Sequence, residues 1–189
     1  MRGVVSTGAL ALVSAAVVAC GGTTSAAGHP SHRPAAAARC SQSSLPLPDL
    51  KCTSGALNPS VRQDTIRQTI CTPGWTKTIR PPVSYTNQLK RQGIADYGYA
   101  DTNPADYEED HFLPLELGGA PRDPKNLWPE PHAGNQNSYS KDRVENDVKV
   151  AVCDGKATLA DAQHAMLTNW TTAEQVLGIG GPSDSGLGH

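Results

Sequence analysis

Residues 108–128 constrain this chain most: Glu-Glu-Asp-His-Phe-Leu-Pro-Leu-Glu-Leu-Gly-Gly-Ala-Pro-Arg-Asp-Pro-Lys-Asn-Leu-Trp. A short apolar run behind an Asp-His pair leads into Gly118-Gly119, which permits a sharp turn, and a second apolar patch around Asn126 closes the segment. Residues 107–117 are predicted extended, 125–128 form a second short strand, and 128–137 form a loop. Val144, Val148, Ala151 and Val152 then recur at the spacing of a half-buried helix. Thr158 to Asp161 starts a last helix with Leu159, Ala162, Met166 and Trp170 on its buried face. Upstream, Asn58-Pro59 opens a helix carrying Val61, Thr65, Ile66, Thr69 and Ile70, which Pro73-Gly74 ends. Ser84 to Leu89 is a second helix with Gly93 as its stop. Aromatics make up only 5% of the chain, against 15 Pro and 18 Gly, so turns and short elements dominate a single modest core. The class is α+β: a short two-stranded sheet packed by flanking helices.

The N-terminus sets the compartment. Arg2 precedes an uncharged, Val- and Ala-rich stretch too short and interrupted for a spanning helix, the layout of a secretory signal over residues 1–19. It ends in Val17-Val18-Ala19-Cys20-Gly21, which resembles a bacterial lipobox and implies lipidation of Cys20, with simple secretion as the alternative. Residues 20–50 read as a flexible stalk of Ala, Ser, Pro and His, 51–175 as the folded domain, and 176–189 as a disordered Gly-rich tail. Besides Cys20 there are four cysteines, Cys40, Cys52, Cys71 and Cys153, an even number that suits two disulfides in an exported protein. The spacing leaves three pairings open. One of them staples Cys52 to Cys71 across the first helix and Cys40 to Cys153.

The order Asp110-His111, Gly118-Gly119, Asn126-Leu127-Trp128, then Asn137 ahead of a helix carrying Lys141, resembles the motif of HNH, or ββα-metal, endonucleases. The likeness spans about residues 105–170 and is weaker over 52–99. It implies a small ββα-metal core and assigns roles. His111 would be the general base that deprotonates water, and Asp110 and Asn137 would hold one Mg²⁺ or Mn²⁺. Asn126 would position the loop, and Lys141 would approach a phosphate. Many members carry His at the last ligand position; here Asn137 is preferred over Asn135 and His132. Glu108 and Glu109 extend the acidic run as solvated or supporting residues, with a direct metal role the lesser alternative, Glu116 lies in the loop, and Trp128 is a core residue. Lys77, Arg80, Lys90 and Arg91 are candidates for a phosphate-binding surface. Because neighbours in a strand face opposite sides, Asp110 and His111 can share a site only if the strand ends or twists between them.

The formal net charge of −2 is unlike that of a tight nucleic-acid binder, so any basic patch is local and binding is salt-sensitive. The expected function is a monomeric, metal-dependent endonuclease of low sequence specificity. It would act on nucleic acid, DNA before RNA, outside the cytoplasm, and be held to the membrane by its lipid. The alternative is a non-catalytic lipoprotein using the same scaffold for binding or envelope structure.

Overall fold

A computed structural model describes residues 39–179. The signal segment, Cys20 and the Gly-rich end of the tail lie outside the described residues. The elements are α1 (Trp75–Ile79), α2 (Val83–Tyr97), β1 (Tyr107–His111), β2 (Leu127–Pro131), α3 (Ser138–Cys153), α4 (Leu159–Asn169) and α5 (Ala173–Val176). The strands form one antiparallel pair with Glu108 opposite Glu130, Asp110 opposite Trp128 and His111 opposite Leu127. The architecture is α+β, as the sequence predicts.

A two-stranded sheet is marginal alone, and here it gains its stability from two apolar clusters. On one side α2 packs against both strands, burying Ile94, Tyr97, Tyr99, Tyr107, Phe112 and Trp128. Trp128 is a core residue, 5.9 Å from the Tyr97 ring. The second cluster joins Leu113 and Leu117 of the β1–β2 loop to Val148 and Val152 of α3 and to Leu159, Met166 and Trp170. Thr158 caps α4 by accepting from the Asp161 N–H, the start its sequence predicts.

Several expectations are corrected. The segment after Asn58 buries Val61, Ile66 and Ile70 as its spacing predicts, yet only Ile66–Gln68 is helical, as one 3₁₀ turn. Thr65 and Thr69 direct their hydroxyls to backbone carbonyls there, competing with a continuous helix. Gly93 does not stop α2. A Cβ at that position would lie 2.6 Å from the Pro129 ring, so glycine lets the helix approach β2 closely. The stalk boundary at 50 also moves. Arg39 and Cys40 donate their N–H groups to the Asp96 carbonyl, and Leu47 packs against the core, so the described fold includes residues 39–50.

The disulfides join Cys40 to Cys52 and Cys71 to Cys153. The staple of Cys52 to Cys71 fails because residue 52 is tied to the N-terminal segment while Cys71 faces the end of α3. Two bridges suit an extracytoplasmic environment, and among the described residues no helix is long and apolar enough to cross a membrane.

The bridges differ in reach, spanning 12 and 82 residues. Loop entropy makes the longer one worth about 4.5 kcal/mol against about 3 kcal/mol for the shorter. Cys71→Ser/Cys153→Ser is therefore expected to lower the chemical-denaturation midpoint more than Cys40→Ser/Cys52→Ser. Equal losses would refute this ranking.

Candidate functional site

The β1–β2 loop is built on Asn126, which has no exposed surface. Its Oδ1 accepts from the Leu113 N–H at 2.9 Å, and its Nδ2 donates to the carbonyls of Leu113 (3.0 Å) and Ala120 (3.2 Å). Gly119 passes so close that a Cβ there would sit 1.8 Å from the Leu113 oxygen. This pinned loop carries Pro121, whose carbonyl oxygen lies 3.1 Å from His111 Nε2. A carbonyl can only accept, so Nε2 carries the hydrogen and Nδ1 keeps the lone pair. His111 is 4% exposed. Burial holds its pKa below the usual imidazole range, against the opposing pull of Asp110. The ring is neutral and basic at neutral pH.

Across β1 lies a buried charge cluster. Lys141, 1% exposed on α3, donates to Asp110 Oδ2 (2.5 Å), to the His111 carbonyl (3.0 Å) and to Glu145 Oε1. All three N–H groups are occupied. Lys141 thus joins the end of β1 to α3 and has none left for a phosphate, which corrects that expected role. Glu130 lies in the same buried cluster, close enough to feel the charges of Lys141 and Asp110, and neither of its oxygens has a hydrogen-bond partner among the described residues. One ammonium offsets one carboxylate. Burial and the Lys141 charge act in opposite senses on Asp110, and the acid lies below its usual range. Burial pushes Glu130 well up and Glu145 to about 8.

Asn137 does not serve as expected either. It is the N-cap of α3, where its Oδ1 accepts from both the N–H and the hydroxyl of Ser140 at 3.1 Å. Its Nδ2 donates to the His132 and Gly134 carbonyls. Both oxygen lone pairs are engaged within the loop and helix. Asn135 is exposed and offers its carbonyl to Ser140. Of the three candidates only His132 reaches the cleft that His111 lines. Its Nδ1 lies 2.7 Å from the Ser138 hydroxyl, and its ring stacks on Tyr139.

That cleft has a volume of about 290 Å³ and is bordered by Arg80, Glu108, Glu109, His111 and His132. It runs along the edge of β1 away from β2, where Lys90 covers the Tyr107 carbonyl at 2.7 Å. An open edge lets residues from both faces of the strand reach one groove, although β1 stays regular through His111. Lys90 is therefore a backbone brace, donating also to the Pro104 carbonyl. The Arg80 side chain makes no hydrogen bond or ion pair among the described residues. It also borders an adjoining cleft of about 240 Å³ with Glu116, Asp142 and Glu145.

Glu108 is pushed up to about 7 by burial and by the charges of Asp110 and Asp142. Asp142 is raised by burial and by Asp110. Oxygen donors with mutually unrelieved negative charge suit a hard divalent cation. Asp110, Glu108 and Asp142 are the acidic groups whose charges act on one another here, with Asp110 already paired to Lys141. Among the described residues no three His, Cys, Asp or Glu side chains already converge on one ligand position.

Glu130, Glu145 and Asp142 escape sequence reasoning, although Lys141 and Glu145 stand at the i, i+4 spacing of a helical ion pair. The chain matches no protein-family model, no curated protein and no solved structure in the comparisons made.

Asn126→Ala strands buried backbone groups at Leu113 and Ala120. It is expected to cost about 3 kcal/mol in unfolding free energy, and a loss under 1 kcal/mol would overturn the pinning role. The folded-state pKa of Glu145 lies above its ordinary 4.5. Its stabilising contribution is therefore intact below about 4.5 and lost as pH rises to about 8. Melting temperature measured in EDTA is expected to fall over that window, with a shallower slope in Glu145→Gln.

Proposed function

We propose that this chain is a phosphodiester hydrolase of the ββα-metal type, acting on nucleic acid, DNA before RNA, with little sequence preference. It works outside the cytoplasm, anchored through Cys20. The observation that carries this reading is the His111 imidazole. It is neutral, oriented by the Pro121 carbonyl, and opens onto a cleft beside the unpaired Arg80 guanidinium.

His111 Nδ1 takes the proton from the attacking water, a contribution of roughly 100- to 10,000-fold in rate. Arg80 pairs with non-bridging phosphate oxygens, a role its planar fork of donors suits. Asn126 acts indirectly, by holding the loop whose Pro121 carbonyl aims the ring. Lys141 fixes the His111 backbone from α3. Asp110, with its acidic neighbours Glu108 and Asp142, would be the group to hold a divalent ion, which would supply positive charge for the phosphate.

The ion pair that Lys141 makes with Asp110 favours the alternative of a non-catalytic membrane-anchored module, and one assay decides between them. Supercoiled plasmid nicked by the full chain with Mg²⁺ or Mn²⁺, and spared in EDTA, supports the hydrolase. His111→Ala is expected to slow nicking at least about 100-fold, and Arg80→Ala to raise KM more than it lowers kcat. A base must be unprotonated to act, and burial lowers the His111 pKa. The acid limb of the rate profile is therefore expected below about pH 6.5. Nicking that survives His111→Ala would sink the assignment.

A further inference from the structure

Where β2 gives way to α3, two rings stack at the edge of the His111 cleft. His132 and Tyr139 lie nearly parallel, with an interplanar angle of 12° and centroids 4.8 Å apart. His132 borders the cleft, and Tyr139, in the first turn of α3, is 59% exposed. With one face of the phenol against the imidazole, exposure on that scale leaves the other face to solvent. No other Phe, Trp or Tyr among the described residues is exposed.

A lone apolar residue on a surface is ordinary, but this ring is held in place. The His132 N–H donates to the Asp106 carbonyl at 3.0 Å, and its own carbonyl accepts from Asn137 Nδ2 at 2.9 Å. Its Nδ1 lies 2.7 Å from the hydroxyl of buried Ser138. The end of β2 and the cap of α3 together therefore fix the imidazole against which Tyr139 rests. A surface ordered before binding loses little freedom when a ligand arrives. Between Ala133 and Arg143, Tyr139 is the only large apolar side chain. A patch one ring wide is far below the area a stable protein partner needs, and it matches a single planar heterocycle.

We infer that Tyr139 is a stacking platform for one unpaired base of the strand whose phosphate enters the His111 cleft, so that single-stranded nucleic acid is the preferred substrate. A base inside a duplex has both faces covered by its neighbours, whereas an unpaired base can lie flat on an exposed aromatic ring. Stacking accepts all the bases, because each has a π-face, and so accords with little sequence preference. This subsite rests on the phosphodiesterase reading for its biological sense, but its occupancy can be measured without turnover.

The test follows the fluorescence anisotropy of short end-labelled DNA oligomers as the full chain is added, in EDTA and at low salt. The oligomers are a single strand, its duplex, and an abasic strand of the same length. The single strand is expected to bind at least about ten-fold more tightly than either control. Tyr139→Leu keeps apolar bulk without the flat face. It is expected to remove most of that preference and to leave binding of the abasic strand unchanged, while Tyr139→Trp keeps the preference. Equal binding of the single strand and either control would overturn the proposal, as would a preference that survives Tyr139→Leu. Weaker binding of all three oligomers alike in Tyr139→Leu, with a lower melting temperature, would mean that the ring only braces the start of α3, and would overturn it as well. If wild type nicks no DNA when Mg²⁺ or Mn²⁺ is supplied, the phosphodiesterase reading fails, while these affinities still report on Tyr139.

Discussion

The buried ammonium of Lys141 ties the parts of the site together. It grips the Asp110 carboxylate, the His111 carbonyl and Glu145 at once, so one side chain sets the distance and angle between the end of β1 and the first turns of α3. A charge so far from water is tolerated because its three donors meet three acceptors, one of them the Asp110 carboxylate. The cluster adds little net stability for its cost, because taking ions out of water offsets most of their attraction. What it adds is register. A helix held by apolar contacts alone could slide against the strand, whereas one held by directional bonds to a buried cation has a single seat.

From that seat the rest of the site follows. Asn126 closes the loop, the loop delivers the Pro121 carbonyl, and the carbonyl selects the imidazole tautomer. Glu108, Glu109 and His111 all border the groove beside β1, whereas Asp110 is turned inward to Lys141. Glu108 also stands directly across the ladder from Glu130. Like groups at that spacing work against the sheet, a conflict that is easier to understand in a site than in a scaffold.

The fold was legible where the periodicity was strong and the partners were local. The stripe of α3, the cap of α4, the strand–loop–strand order and the burial of Trp128 could all be read from spacing. The first strand was placed at its observed start but expected to run six residues past its end at His111, and the second was placed about two residues early. What could not be read depended on distant contacts. Gly93 resembles a helix stop until Pro129 is seen against it. Residues 39–50 resemble a stalk because their stabilising contacts come from Asp96, Tyr97 and Cys52, far along the chain or across a bridge. Asn137 was misread for a different reason. An Asn just before a helix is equally the position of a cap, and here the cap claims both lone pairs of its oxygen. Lys141 reads as a surface cation on composition alone, and only the carboxyls gathered from β1 and α3 show why it is inside.

The bridge between Cys71 and Cys153 has a mechanical consequence. Arg80, Glu108, Asp110, His111, Asn126, His132, Asp142 and Glu145 all fall within the stretch it closes. Tension along the backbone from either terminus passes through the sulfur link and bypasses that stretch. Stretching could draw out the flanking segments, 53–70 and 154–179, while the covalent ring around the groove keeps its contour. Under such a load the stretch between the two sulfurs would be the last to feel the strain.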